Sequence, residues 1–122
     1  MRLLAFLTIG IVLALPFASC EKEYFKPLPV DPNVPVSFSA DIEPLFISKC
    51  ATSGCHNGAV RPNLLEGKCY TSLMDGGYVD TLAPDKSSLM VKVRSNMPPP
   101  SGLPAPEISK VLAWITQGAK EN

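Results

Sequence analysis

Hydrophobic residues after position 37 recur at helical spacing, and no stretch shows the sustained alternation of a strand. The clearest stripe has intervals of three and four residues and consists of Ile108, Val111, Leu112 and Ile115. Pro106 suits the first turn of this helix, and Gly118 suits its C-terminal end. The pattern therefore predicts a helix that begins near residue 105 and ends before Gly118.

Shorter apolar patterns predict three further helices. The first would be capped by Ser39 or Asp41 and run to Cys50, with Pro44 tolerated because it falls in the first turn. Two more short helices are expected, one at residues 70–74 and one carrying Leu89, Met90 and Val93.

Residues 37–122 are therefore expected to form one all-α domain of three to five short helices with much loop. A domain of this size is marginal on its apolar core alone, so a cofactor or a metal is expected at its centre. The 11 basic and 11 acidic side chains balance, and nothing indicates a nucleic-acid partner.

Residues 1–19 have the features of a bacterial lipoprotein signal peptide. Arg2 precedes a mostly apolar run at residues 3–15, which is shorter than the ~20 residues of a membrane span. The segment ends in Phe17-Ala18-Ser19-Cys20, which resembles a lipobox, where a cysteine becomes the lipidated first residue. Cys20 is thus the predicted lipidation site, and the alternative is an ordinary cleaved signal beside an unmodified cysteine.

Residues 20–36 are predicted to form a proline-rich tether between the lipid and the domain. Its prolines exclude a helix and a central strand, and they are Pro27, Pro29, Pro32 and Pro35. An extended tether would span roughly 50 Å at ~3.1 Å per residue. Packing of this segment on the domain surface is the alternative. The protein is expected to be exported and lipid-anchored to a bacterial membrane, on the periplasmic side or at the cell surface.

The candidate chemistry is concentrated between Cys50 and His56. Four residues separate Cys50 from Cys55, and His56, the only histidine of the chain, follows directly. This is an expanded form of the C-x-x-C-H pattern of covalent haem attachment, in which both thiols bond vinyl groups and the histidine binds the iron. Ser53 and Gly54 suit a longer loop that turns back on itself.

Two other interpretations stay open on this local pattern. One is a disulfide between Cys50 and Cys55, which suits an exported protein. The other is a tetrahedral zinc site with Cys50, Cys55, His56 and Cys69 as its ligands. The protein would then be a zinc- or disulfide-stabilised surface lipoprotein that acts as a binding module. With haem, Cys69 has no role and would be a free thiol or a bridge to a second chain.

Met97 is a candidate iron ligand from a distant part of the chain. Three prolines follow it, so a helix cannot continue there and the backbone of the loop is preset. Its thioether is a soft, neutral ligand suited to haem iron. Met74 and Met90 lie at helical positions instead and suit core packing.

Residues 38–119 resemble a small class I-type cytochrome c domain. The matching stretches are Asp41-Ile42-Glu43-Pro44-Leu45-Phe46, Cys50 with Cys55-His56, Met97-Pro98-Pro99, Glu107-Ile108, Trp114-Ile115 and Gly118-Ala119. Phe46 matches an aromatic before the attachment loop, and Trp114 matches one that packs against the first helix near the haem. The chain departs from the family in its cysteine spacing and in Ile42, which stands where the family often has glycine.

The resemblance implies a membrane-anchored monohaem c-type cytochrome that exchanges single electrons with redox partner proteins. Haem c would be attached through Cys50 and Cys55, with His56 and Met97 as the axial ligands of the iron. The chain shows no second histidine, no paired carboxylates in a motif and no nucleophile with a base, so an enzyme is not expected.

Overall fold

The computed structural model describes residue 31 and residues 33–122. Within this part the chain forms four α-helices and two short helical turns, and it contains no strand. The all-α prediction is therefore confirmed. The predicted signal peptide, Cys20 and most of the predicted tether at 20–36 lie outside the described residues. Among the described helices, none is long and apolar enough to cross a membrane.

The helices are short and joined by long loops. Their bounds are a π-helical turn at Phe38–Ile42, α1 at Glu43–Lys49, α2 at Cys69–Asp75, a 3-10 turn at Pro84–Lys86, α3 at Ser88–Ser95 and α4 at Ala105–Thr116. The helices predicted from the apolar pattern correspond to α1, α2, α3 and α4. The loops at residues 50–68 and 96–104 carry the candidate haem ligands.

The first helical segment begins earlier than the sequence predicted. Ser37 caps it in place of Ser39 or Asp41, since the Ser37 Oγ accepts a hydrogen bond from the amide of Ala40 at 3.2 Å. Asp41 accepts a hydrogen bond from the backbone amide of Ser37 at 3.0 Å, which lowers the pKa of the Asp41 carboxyl. The two side chains thus cap the turn reciprocally. Pro44 does lie in the first turn of α1.

An aromatic cluster joins the first turn to α2 and α4. The Trp114 ring centroid lies 5.3 Å from that of Phe38 and 6.4 Å from that of Tyr70. Trp114 is buried, and its Nε1–H donates to the carbonyl of Lys120 at 2.9 Å, so its polar atom is satisfied. Ile42 is fully buried in the same core. Trp114 therefore packs against the first helical segment, as the resemblance implied.

The C-terminal residues bind the segment that precedes the first turn. Gln117 accepts a hydrogen bond from the amide of Val36 and donates one to the carbonyl of Val34, both at 2.9 Å. The carbonyl of Asn122 accepts a hydrogen bond from the Oγ of Ser39 at 2.8 Å. The last residues of the predicted tether are therefore held on the domain beside the end of α4.

Candidate functional site

One apolar cavity brings the candidate residues together. Its volume is about 620 Å³, within the ~300–1,000 Å³ range of ligand and cofactor sites. Cys50, Cys55, His56 and Met97 all line it. Its apolar wall comes from α1, α2, α3 and the intervening loops, through Phe46, Leu64, Leu73, Leu89, Val93 and Pro98. Folding thus places the loop that follows α1 beside the loop that follows α3.

A tight turn accommodates the four-residue spacing between the two cysteines. The amide of Cys55 donates to the carbonyl of Thr52 at 3.0 Å, and Gly54 within this turn has a φ of +78°. The amide of His56 donates to the carbonyl of Cys50 at 3.1 Å, which closes the loop. Both cysteines consequently line the same cavity in spite of the expanded spacing.

A backbone carbonyl orients the ring of His56. The Nδ1 atom of His56 lies 3.0 Å from the carbonyl oxygen of Pro62. Because a carbonyl only accepts hydrogen bonds, Nδ1 carries the proton of the neutral ring, and Nε2 then keeps its lone pair. Metal-binding histidines usually donate their other ring N–H in this way, which fixes both the tautomer and the ring orientation. The imidazole is therefore prepared to bind a metal through Nε2.

Met97 lines the cavity from a loop that is fixed to α3. The amide of Met97 donates to the carbonyl of Lys92 at 3.0 Å, and the amide of Leu103 donates to the carbonyl of Val93 at 2.8 Å. Gly102 has a φ of +81°, and a Cβ atom there would lie 2.4 Å from the oxygen of Val93. The loop can approach the end of α3 this closely only because residue 102 is glycine.

The charged side chains that line the cavity are all basic. Lys49, Arg61 and Lys92 line it, and none of the described Asp or Glu residues does. Burial raises the pKa of the Cys50 thiol to about 11, with smaller contributions from Cys55 and Glu107, so this thiol is neutral at pH 7. An apolar cavity with basic side chains suits a ligand that has a large apolar body and acidic substituents.

Cys69 lies outside this cavity. It begins α2 and is fully buried in the core, where burial raises the pKa of its thiol to about 12, with smaller contributions from Glu43 and Cys50. The thiol is therefore inaccessible, and the alternative prediction of a bridge from Cys69 to a second chain is wrong.

The zinc and disulfide interpretations find no matching arrangement in the described part of the chain. Cys50, Cys55 and Cys69 are free thiols. Residues 33–122 contain no group of three or more His, Cys, Asp or Glu side chains arranged to hold a metal ion. The four residues proposed as zinc ligands therefore do not form such a group here.

Two further residues that support the resemblance, Phe46 and Trp114, differ in whether they line the cavity. Phe46 is fully buried and lines the cavity, as its position before the attachment loop suggested. Trp114 belongs to the aromatic cluster and does not line the cavity. Pro62 and Gly102 were not predicted as functional residues from the sequence. The only signals for them are a proline soon after the histidine and a glycine soon after the three prolines.

No family model, curated protein or solved structure matches this chain. Its function is therefore inferred from the residues and the geometry of the cavity.

Proposed function

We propose that this chain is a membrane-anchored monohaem c-type cytochrome that carries single electrons between redox partner proteins. One observation carries the proposal: Cys50, Cys55, His56 and Met97 line a single apolar cavity of about 620 Å³. Met97 would not be a ligand in a zinc site, and neither His56 nor Met97 would take part in a disulfide. Haem c uses all four side chains, which is why we favour it.

The residues present fit haem in their donor chemistry. The thiols of Cys50 and Cys55 would form the covalent bonds to its two vinyl groups. His56 would bind the iron through Nε2, and Met97 would supply a soft, neutral thioether as a second ligand. When bound, the haem supplies a reversible one-electron change at its iron.

The chain's own residues would set the reduction potential of the site. The hydrogen bond from His56 Nδ1 to the Pro62 carbonyl strengthens the imidazole as a donor and keeps its ring in place. Ligation by Met97 would raise the reduction potential, and the apolar wall would exclude water from the site. If His56 and Met97 both bound the iron, they would leave no position on it for a substrate. We therefore propose an electron carrier and not an enzyme.

A lipid on Cys20 would hold this carrier at a bacterial membrane, on the periplasmic side or at the cell surface. Several acyl chains at ~0.8 kcal/mol per buried CH₂ give stable anchoring. Cys20→Ser should release the protein from membranes or leave its precursor uncleaved. An unmodified, soluble protein with a different first residue would contradict the anchor.

Covalent haem is the property that tests the proposal. The full chain is expressed in a host with a c-type cytochrome maturation system, and the mass of the denatured protein is measured. We expect one haem per chain, and the double variant Cys50→Ala/Cys55→Ala should carry none. Cys69→Ala is the matched control and should keep its haem, because Cys69 does not line the cavity. A denatured unmutated chain without haem would overturn the proposal, and bound zinc in its place would favour the binding module.

A further inference from the structure

A second, polar cavity of about 460 Å³ shares part of its lining with the apolar cavity. The residues common to both cavities are Val60, Arg61, Pro62 and Tyr78. Mostly polar side chains line the remainder of the second cavity, among them Asn63, Lys68, Thr71, Ser72 and Asp75. Lys68 and Asp75 are exposed, so water reaches this cavity. The shared residues therefore separate a wet, polar cavity from the apolar one.

Backbone hydrogen bonds hold Tyr78 between α2 and α3. Its amide donates to the carbonyl of Leu73 at 3.1 Å, and its carbonyl accepts from the amide of Leu89 at 3.0 Å. Leu73 and Leu89 are both buried, and both line the apolar cavity. Tyr78 is therefore fixed at the edge of the apolar cavity by two of the helices that form its wall.

The ring of Tyr78 occupies the space that a side chain on residue 76 would fill. A Cβ atom on Gly76 would lie 2.2 Å from Cε2 and 2.6 Å from Cδ2 of Tyr78, and 2.8 Å from the carbonyl oxygen of Ser72. Gly76 has a φ of −75°, which every residue type can adopt, so its φ does not require glycine. The close approach of the ring and of this carbonyl does.

Gly76 lines the polar cavity alone, whereas Tyr78 lines both cavities. The ring that covers Gly76 therefore lies where the two cavities meet. We propose that Gly76 holds the ring of Tyr78 as a partition between the cavities, and that this partition keeps the water of the polar cavity away from the bound haem. The inference rests on the proposed function. Water near the iron would favour its more highly charged ferric form, so the partition raises the reduction potential.

The test is a double-mutant cycle on residues 76 and 78, with the reduction potential of the haem-loaded protein as its readout. The variants are Gly76→Ala, Tyr78→Ala and the double variant Gly76→Ala/Tyr78→Ala. Tyr78→Phe is the control that keeps the ring and removes only the hydroxyl. Gly77→Ala is the control for the glycine, because a Cβ atom there would meet nothing within 4 Å. The mass of each denatured chain shows first that it carries haem.

Gly76→Ala should displace the ring, and Tyr78→Ala should remove it. We expect both changes to lower the reduction potential, and Tyr78→Phe and Gly77→Ala to keep the value of the unmutated protein. The double variant should have the same potential as Tyr78→Ala, because the ring that residue 76 positions is then absent. If residue 76 acted only through the carbonyl of Ser72, the effect of Gly76→Ala would not depend on residue 78.

The position of the ring is tested in the haem-free protein by NMR. A nuclear Overhauser effect should connect the ring protons of Tyr78 with the α-protons of Gly76, and its absence would overturn the inference whatever the haem content.

Two results with the haem-loaded proteins would overturn this inference alone. One is an unchanged potential in both single variants, and the other is an equal decrease on Gly76→Ala with and without the ring of Tyr78. An unmutated chain without haem would overturn the proposed function, and the effect on its potential with it. If Tyr78→Ala does not accumulate, Tyr78→Leu replaces it in the cycle, and the same outcomes decide.

Discussion

The Nδ1 atom of His56 and the carbonyl oxygen of Pro62 lie 3.0 Å apart, and in the neutral ring this contact leaves the lone pair of Nε2 free. The amide of Leu64 donates to the carbonyl of His56 at 2.7 Å and ties the same loop from its other side. Gly58 lets the chain turn between them with a φ of +98°. Because backbone atoms hold the imidazole, its orientation does not depend on a bound cofactor.

We expect His56 of the haem-free protein to be the Nδ1–H tautomer, since the Pro62 carbonyl can only accept a hydrogen bond. Nitrogen NMR of histidine-labelled protein at about pH 8 measures the tautomer, and the signal is unambiguous because the chain has one histidine. The same sample in denaturant is the control and should lose this preference. A folded protein with Nε2–H as the major form would contradict the prediction.

Gly102→Ala should displace the loop that carries Met97. A positive φ costs about 1–2 kcal/mol for a residue with a Cβ atom. That atom would also lie 2.4 Å from the backbone oxygen of Val93, so the loop has to move. In the haem-loaded ferrous protein, Gly102→Ala should therefore bind carbon monoxide more readily and have a lower reduction potential. Met97→Ala should do the same and serves as the reference.

Gly77→Ala is the matched control for Gly102→Ala. Gly77 has a φ of +66°, but a Cβ atom there would meet nothing within 4 Å. The positive φ alone should lower the stability of this variant about as much as it does in Gly102→Ala. The variant should still bind carbon monoxide as slowly as the unmutated protein. Rapid carbon monoxide binding by the unmutated protein would show that Met97 is not a ligand.

The buried Cys69 thiol should make the haem-free domain sensitive to alkali. Burial raises its pKa from 9.0 to about 12. Below pH 9 the thiol is protonated in both states. As the pH rises from 9.0 towards 12 the unfolded chain releases the proton first, so the free energy of unfolding falls. Urea unfolding at a series of pH values measures this decline, and Cys69→Ala should make it shallower.

A comparison of Cys69→Ser with Cys69→Ala separates the effect of packing on stability from the effect of thiol ionisation at the same position. A buried hydroxyl without a partner costs about 1–3 kcal/mol, so this variant should be less stable than Cys69→Ala at neutral pH. Cys50, with a pKa of about 11, remains in both variants and should leave part of the alkaline decline in place. An unchanged alkaline profile in Cys69→Ala would refute the assignment to Cys69.

Gln117→Ala should loosen the segment that leads into the first turn. The side chain makes two hydrogen bonds to the backbone of this segment, at Val34 and Val36. At about 0.5–1.5 kcal/mol for each bond, its loss should lower stability by about 1–3 kcal/mol. Amide hydrogen exchange should accelerate at residues 36–39. Thr116→Ala is the control, since Thr116 is exposed and its hydroxyl forms a hydrogen bond only within α4. Unchanged hydrogen exchange in Gln117→Ala would contradict the prediction.

The helices of this domain could be predicted because their signals are local. The stripe from Ile108 to Ile115, with Pro106 in its first turn, gives α4 directly through the helical period and the tolerance of proline there. The pattern from Cys50 to His56 could be proposed as an attachment site because it depends on residue types that are close in sequence. The cap at Ser37 was missed because Ser39 and Asp41 offer equivalent side chains nearby, and only the backbone path selects among them.

The sequence by itself determined the helices, the motif at Cys50, Cys55 and His56, and Met97 as a candidate ligand. Only the tertiary structure decided that Met97 lines the same cavity as His56, that Pro62 orients the imidazole and that Cys69 is buried away from both. These contacts join residues that are separated along the chain, and they depend on the conformations of long loops. An apolar period specifies which face of a helix is buried, but it does not specify where a loop places the next ligand.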